Sequence, residues 1–253
     1  MTATAGTAGT AGTVDPEDIA RFSAIAAEWW DPTGKFRPLH RLNPLRLTYI
    51  RDTLCRRFGR DPLAVQPLKG LRIVDIGCGG GLLSEPVARM GATVVGVDAA
   101  ERNVRTAAAH AAETGTPVDY RATTAEALAA GGERFDAVLA MEVIEHVADV
   151  PLFVKSCAEL LAPGGVLFLA TLNRTPKSFA LAIVGAEYIL RWMPRGTHNW
   201  RQFLRPGELA AAVRTEGLAI RDLTGITYSP LSDEFRLNPR DLDVNYMGWA
   251  ERA

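Results

Sequence analysis

Between residues 71 and 172 the sequence alternates short β-branched runs with alanine-rich stretches of helical period, and no other feature narrows the choice of fold so far. The runs "LRIVDIG", "TVVGVDA", "VDYRAT", "FDAVLAM" and "VLFLATL" read as strands. Between them "GLLSEPVARMG", "AERNVRTAAAHAAETG", a segment near Ala125 to Ala130 and "VPLFVKSCAELLAPGG" read as helices. Parallel strands need long crossovers, and a helix between successive strands supplies them. The expected class is therefore α/β, a right-handed, doubly wound, Rossmann-like parallel sheet. Downstream, "RPGELAAAVRTEGLAIRDLTGITY" adds one helix and a strand or hairpin that can close the sheet.

A chain of 253 residues, 47% of them hydrophobic, suits one large core rather than two. Residues 1–14 open with "MTATAGTAGTAGT", which has neither cations nor an apolar block, and read as a disordered tail. Residues 15–253 then form a single domain. Its first part, 15–65, is a helical cap in which Asp15 is an N-cap, Pro16 stands at N1, and Glu17 and Asp18 supply first-turn acidity. "NPLRLTYIRDTLCRRF" reads as a second amphipathic helix with Leu47, Ile50 and Leu54 on its buried side. A helical insertion, 173–205, follows the fifth strand.

With 28 basic and 29 acidic residues the net charge is −1, so nothing global points to a nucleic-acid partner. Cys55, Cys78 and Cys157 are scattered and form no C-x-x-C. Neither a disulfide framework nor a zinc site is indicated, and a reducing cytoplasm is expected. No apolar run reaches the ~18 residues that a membrane-spanning helix requires.

In an open parallel sheet the ligand lies across the carboxyl ends of the strands. The first strand ends in "DIGCGGG", where glycines let the backbone come close to a ligand and turn into a helix near Leu82. The spacing of Gly77, Gly79 and Gly81 is G-x-G-x-G, not the G-x-G-x-x-G of a dinucleotide fold. The second strand ends in Asp98, 21 residues after Gly77, where a carboxylate can accept hydrogen bonds from two ribose hydroxyls. An Asp after a strand is also a good cap for the next helix. From these residues alone, NAD and S-adenosylmethionine both remain open.

"VDIGCGGG", "FDAVLAMEVIEHV" and "LLAPGGVLFLATLN" together resemble the class I S-adenosylmethionine-dependent methyltransferases over roughly 71–173. The flanking "EWWDPTGKFRPLHRLNPLRLTYI", "TLNRTPKSFALAIVGAEYIL", "RGTHNW" and "DVNYMGWA" extend the resemblance, from about residue 22 to 249, to the bacterial ubiquinone biosynthesis O-methyltransferases. That resemblance implies a seven-stranded sheet and O-methylation of polyprenylated catechols at two steps, an early polyprenyl-hydroxyphenol and the final demethylubiquinol. It also implies other proteins of ubiquinone synthesis as partners. Carried onto this sequence, the family's cofactor residues are Arg46, Gly77, Asp98 and Met141, with Asp75 and Gly79 as additions from the same loop. Arg46 would offer a planar fork to the methionine carboxylate and Met141 would pack near the adenosine.

A sulfonium methyl is already activated, so the enzyme has to align donor and acceptor and help a phenol of pKa ~10 lose its proton. "EVIEHV" supplies Glu142, Glu145 and His146, and in a helix this spacing puts all three on one face. Three readings stand. His146 can be a general base; the three can hold a divalent ion such as Mg²⁺ that binds both catechol oxygens; or the glutamates cap or pair locally. One imidazole is an unusual ligand for Mg²⁺, which prefers oxygen.

Within the insertion and its flanks, Thr171 to Arg205, stand Arg174, Lys177, Arg191, Arg195, Arg201 and Arg205 against one acid, Glu187. "FALAIVGAEYIL" is too short to span a bilayer but is flanked by cations and by Trp192 and Trp200. Two readings follow: peripheral docking on anionic lipid at the inner face of the cell membrane, or a lid packed over the core. A methyltransferase for another lipidic phenol and a non-catalytic cofactor- or lipid-binding protein are the remaining functional alternatives.

Overall fold

Strands form where the β-branched runs predict them: β1 (Arg72–Ile76), β2 (Thr93–Asp98), β3 (Val118–Ala122), β4 (Phe135–Met141) and β5 (Leu161–Leu172). Three more follow, β6 (Leu218–Ser229), β7 (Glu234–Asn238) and β8 (Asn245–Arg252). The computed structural model describes residues 12–189, 196–229 and 232–253 and joins these strands in one sheet of order β3-β2-β1-β4-β5-β8-β6-β7. β1 to β5 are parallel neighbours. β8 lies antiparallel between β5 and β6, and β7 pairs with β6 at the sheet edge. The α/β doubly wound class is therefore correct, while the sheet has eight strands rather than seven and is mixed. β7 is the addition, an edge strand paired only with β6.

Helices cover both faces, which is why the central strands read as continuous apolar runs rather than alternating ones. Ile73, Leu139 and Phe168 point to one face, packed with residues of α2 (Arg37–Arg57) and α3 (Ser84–Arg89). Val74, Val138 and Leu167 point to the other, against α5 (Ala125–Ala130), α6 (Val150–Glu159) and α8 (Pro206–Thr215). The remaining crossover, α4 (Glu101–Thr114), packs beside β2 and β3 and ends at Gly115 in the left-handed region.

The N-terminal cap forms as expected, with two adjustments. Asp15 caps α1 (Pro16–Ala24) by accepting from the Glu17 amide at 2.9 Å. α2 begins at Arg37 rather than Asn43 and carries Pro44 inside it; burial of Leu42, Ile50 and Leu54 holds the helix through the hydrogen bond that the proline lacks. Leu47 is only half-buried. The expected tail does not run to residue 14: Val14 bridges Val147, and the Ala148 amide donates to the Thr13 carbonyl at 2.7 Å. Residues 1–11 lie outside the described residues.

After β5 the insertion starts with α7 (Pro176–Ser178), where Thr175 and Ser178 cap each other. It continues as a π-helix over Phe179–Ile189, followed later by a short turn at Trp200–Gln202. Arg191, Trp192 and Arg195 lie outside the described residues.

Candidate active site

A cavity of about 980 Å³ opens at the carboxyl ends of β1, β2 and β4, where the strand order reverses. Gly77, Cys78 and Gly79 line it after β1, Asp98 after β2, and Met141 and Glu142 after β4. From above, α2 contributes Arg46 and Asn43, and α1 contributes Asp18 and Phe22. The volume is near the upper end of the ~300–1,000 Å³ typical of ligand sites, so two ligands can share it.

The glycine loop uses its missing side chains chiefly for aromatic packing. Gly79 has φ +54°, and a Cβ there would stand 2.4 Å from the Trp29 ring. Trp29 stacks on Phe36 with centroids 3.7 Å apart and donates from Nε1 to Asn103 Oδ1 at 3.0 Å. Gly77, at φ +68°, leaves room for the Val143 side chain. Backbone approach to a ligand is thus confined to Gly77, Cys78 and Gly79, and the Gly79 amide is already committed to Asp98 Oδ2 at 3.0 Å.

Asp98 lines the cavity and orders the turn that leads into α4. Its Oδ1 accepts from the Ala100 amide at 2.8 Å and from Asn103 Nδ2 at 3.3 Å. Burial pushes its pKa up against these hydrogen bonds, which hold the carboxylate in a fixed pose at the end of β2. Asp75, on β1, accepts from Ser84 Oγ at 2.6 Å. Burial, with the charge of Asp98 adding to it, raises its pKa to about 7.

Arg46 is buried, pairs with Glu142, and has no partner for its Nε among the described residues. An unsatisfied guanidinium donor beside a ligand cavity fits an incoming carboxylate. Glu142 has φ +59° and also accepts from Asn245 Nδ2 at 2.9 Å. That turn ends β4 and breaks the helical face expected of "EVIEHV".

The three candidate residues therefore diverge. Glu142 faces Arg46 in the cavity, whereas Glu145 is buried outside it and accepts from Thr171 Oγ1 at 2.8 Å. Burial and the neighbouring Glu142 charge push the Glu145 carboxyl well above its ordinary range, which disfavours the ionised form that a metal ligand needs. A neutral carboxylic acid is a poor metal ligand. Among the described residues no cluster of three or more His, Cys, Asp or Glu side chains is arranged to hold a metal ion, so the expected Glu142, Glu145 and His146 metal site does not assemble here.

His146 remains, in a role that the sequence did not show in full. Its Nδ1 meets Asp18 Oδ2 at 3.0 Å, and the Phe22 ring meets it edge-on at 5.4 Å. A carboxylate only accepts, so Nδ1 carries the hydrogen and Nε2 is the basic nitrogen. Burial pushes the Asp18 carboxyl up, but His146, Arg21 and His198 outweigh it and its pKa falls below the ordinary value. A second carboxylate–imidazole pair lies alongside: His198 Nδ1 meets Glu187 Oε1 at 3.0 Å, and the two imidazole centroids are 5.8 Å apart. Asp18, Glu187 and His198 were not identified from sequence as site residues. One signal was present, a lone glutamate inside "FALAIVGAEYIL", since a buried charge requires a partner.

Comparison with known proteins finds relatives over nearly the whole chain. A family profile described as a methyltransferase domain matches residues 46–223. The ubiquinone biosynthesis O-methyltransferase of Parvibaculum lavamentivorans is 61% identical over 240 residues, covering 95% of this chain and 94% of that protein. The protein of the same name from Sinorhizobium fredii is 59% identical over 239 residues, covering 94% and 96%. Among solved structures, the magnesium protoporphyrin IX methyltransferase of Synechocystis with bound SAH superposes with a TM-score of 0.61 at 20% identity, over 94% of this chain and 95% of that one. The plantazolicin methyltransferase in complex with a triazolic analogue and SAH gives 0.62 at 15% identity, over 92% and 96%. At such identities the two structures speak for the fold.

Proposed function

The chain belongs to the ubiquinone biosynthesis O-methyltransferases, and from that membership and the geometry of the cavity we propose that residues 15–253 act as one catalytic domain that methylates a hydroxyl of a polyprenylated catechol, with S-adenosylmethionine as donor. When bound, the donor supplies an activated sulfonium methyl. Arg46 would offer its free Nε to the methionine carboxylate, Asp98 would meet the ribose, Met141 would pack near the adenosine, and the loop at Gly77 would admit the donor close to the backbone. His146 Nε2 would take the proton from the acceptor hydroxyl, and Asp18 holds the ring in the required tautomer. The observation that carries this reading is the His146–Asp18 pair opening into the same cavity as Arg46, Gly77 and Asp98.

Calorimetry with S-adenosylhomocysteine against NAD, followed by methyl transfer to a short-chain prenylated catechol with and without EDTA, tests the proposal. Binding of S-adenosylhomocysteine but not NAD, and EDTA-resistant transfer, are expected. Full loss of activity in EDTA, restored by Mg²⁺, would return the metal reading.

Leu39, Leu42, Leu181, Ile226 and Phe235, which line the cavity, would give a prenyl tail apolar contacts. Phe179, Leu181, Val184 and Ile189 of the insertion are also exposed to between 39% and 71%, an apolar face that suits contact with lipid. No helix among the described residues is long and apolar enough to cross a membrane, and the reading is peripheral association with the cytoplasmic leaflet. Of the insertion's cations, Arg174 is paired with Glu208, and Lys177 with Asp241 and Asp243. Apolar contact therefore carries more of the attraction than the charge count implies.

A further inference from the structure

Two imidazoles face one cavity, and the reaction needs only one base. Each ring binds a carboxylate through Nδ1, Asp18 for His146 and Glu187 for His198. That leaves Nε2 of each for a ligand, because both residues line the cavity. We propose that His198 recognises the acceptor: its Nε2 accepts a hydrogen bond from the catechol hydroxyl that is not being methylated, while His146 takes the proton from the hydroxyl that is. The proposal rests on the catechol O-methyltransferase reading.

Three observations support it. Two imidazoles standing side by side with centroids 5.8 Å apart can each reach one of two neighbouring ring oxygens in a hydrogen bond of ~2.8 Å. The ring of His198 is also not needed to satisfy Glu187, which already accepts from the amides of Gly196 at 2.7 Å and His198 at 3.0 Å. What the contact between the His198 ring and Glu187 adds is a defined tautomer, with hydrogen on Nδ1 and a lone pair on Nε2. Finally, Arg21 donates to the Thr197 carbonyl at 3.2 Å, tying the segment that carries His198 to α1, the helix that carries Asp18. The two dyads are thereby held in register. Glu187 is a positioning residue, and His198 sets specificity for an acceptor with two adjacent hydroxyls, since a site built to bond a hydroxyl discriminates against the analogue that lacks it.

The test compares the affinity of a short-chain catechol with that of the matching monophenol, by calorimetry on protein saturated with S-adenosylhomocysteine. His198→Asn keeps an amide near the Nδ1 position for Glu187 and has nothing at Nε2; His198→Gln places an amide nearer Nε2. In the parent the catechol should bind about tenfold more tightly, the worth of one hydrogen bond. His198→Asn should erase that preference, His198→Gln should restore part of it, and affinity for S-adenosylhomocysteine should not change. An undiminished preference in His198→Asn, or equal weakening of both acceptors, overturns the assignment to His198 alone. Parent protein that binds neither S-adenosylhomocysteine nor catechol overturns the functional reading, and this proposal with it.

Discussion

At Asp75 a carboxyl with a native pKa near 7 replaces an unfolded value of ~3.9. The native state therefore binds the extra proton between these values, and its stability declines as pH rises through that window. Asp75→Asn keeps an acceptor for Ser84 Oγ and removes the buried charge. In cofactor-free protein it should be ~1–3 kcal/mol more stable than the parent at pH 8 and close to it near pH 4.5, as read by urea denaturation at both pH values. At His146 the expectation is catalytic: His146→Ala should lower kcat by ~10²–10⁴-fold, the range for loss of a general base. Asp18→Asn, which still accepts from Nδ1, should cost less. Calorimetry should find S-adenosylhomocysteine affinity unchanged in both, and an equal loss of affinity would instead place His146 among the cofactor contacts.

The elements that matter most at the site are the ones with the least regular patterns. The sheet and its crossovers follow from period and propensity, and every β1 to β5 strand lies where its apolar run stands. The segment after β4 does not follow, because Glu142 in the left-handed region turns the chain before a helix can form. That single conformation separates Glu142 from Glu145 and leaves His146 to pair with α1. In the insertion, the π-helix over Phe179–Ile189 turns Glu187 inward while exposing Phe179 and Val184. A Phe179→Ser, Val184→Ser variant should therefore sediment several-fold less with phosphatidylglycerol or cardiolipin vesicles. Added salt should weaken parent binding only in part, because burial of apolar side chains is not screened. Undiminished sedimentation of the variant would leave the insertion as a lid.

Across the whole molecule, the Asp18–His146 contact joins the N-terminal cap to the turn after β4, while the Glu187–His198 contact lies within the insertion, which Arg21 ties to α1 through the Thr197 carbonyl. Burial pushes both carboxyls up, but the imidazole contacts, with Arg21 at Asp18 and the Gly196 and His198 amides at Glu187, outweigh it and leave both native pKa values below their ordinary ones. Their stabilisation is thus complete above the unfolded values of ~4 and is lost as pH falls through the lower native ones. Glu187→Gln should be less stable than the parent at pH 6, with the gap narrowing by pH 3, as followed by thermal denaturation; a gap independent of pH would remove the ionised contact. What the sequence determined by itself was local. Apolar runs, glycines at a strand end, Asp98 at the next strand end and the capping at Asp15 each depend on residues close together in the chain, where periodicity and stereochemistry decide. The metal site expected from "EVIEHV", the tail end at Thr13 and Val14, and the partners of Glu187 and His146 depended on contacts that only packing brings about, with Asp18 and His146 standing 128 positions apart. Tertiary structure decided these because a buried carboxylate selects its partner by distance in space, and a sequence records only distance along the chain.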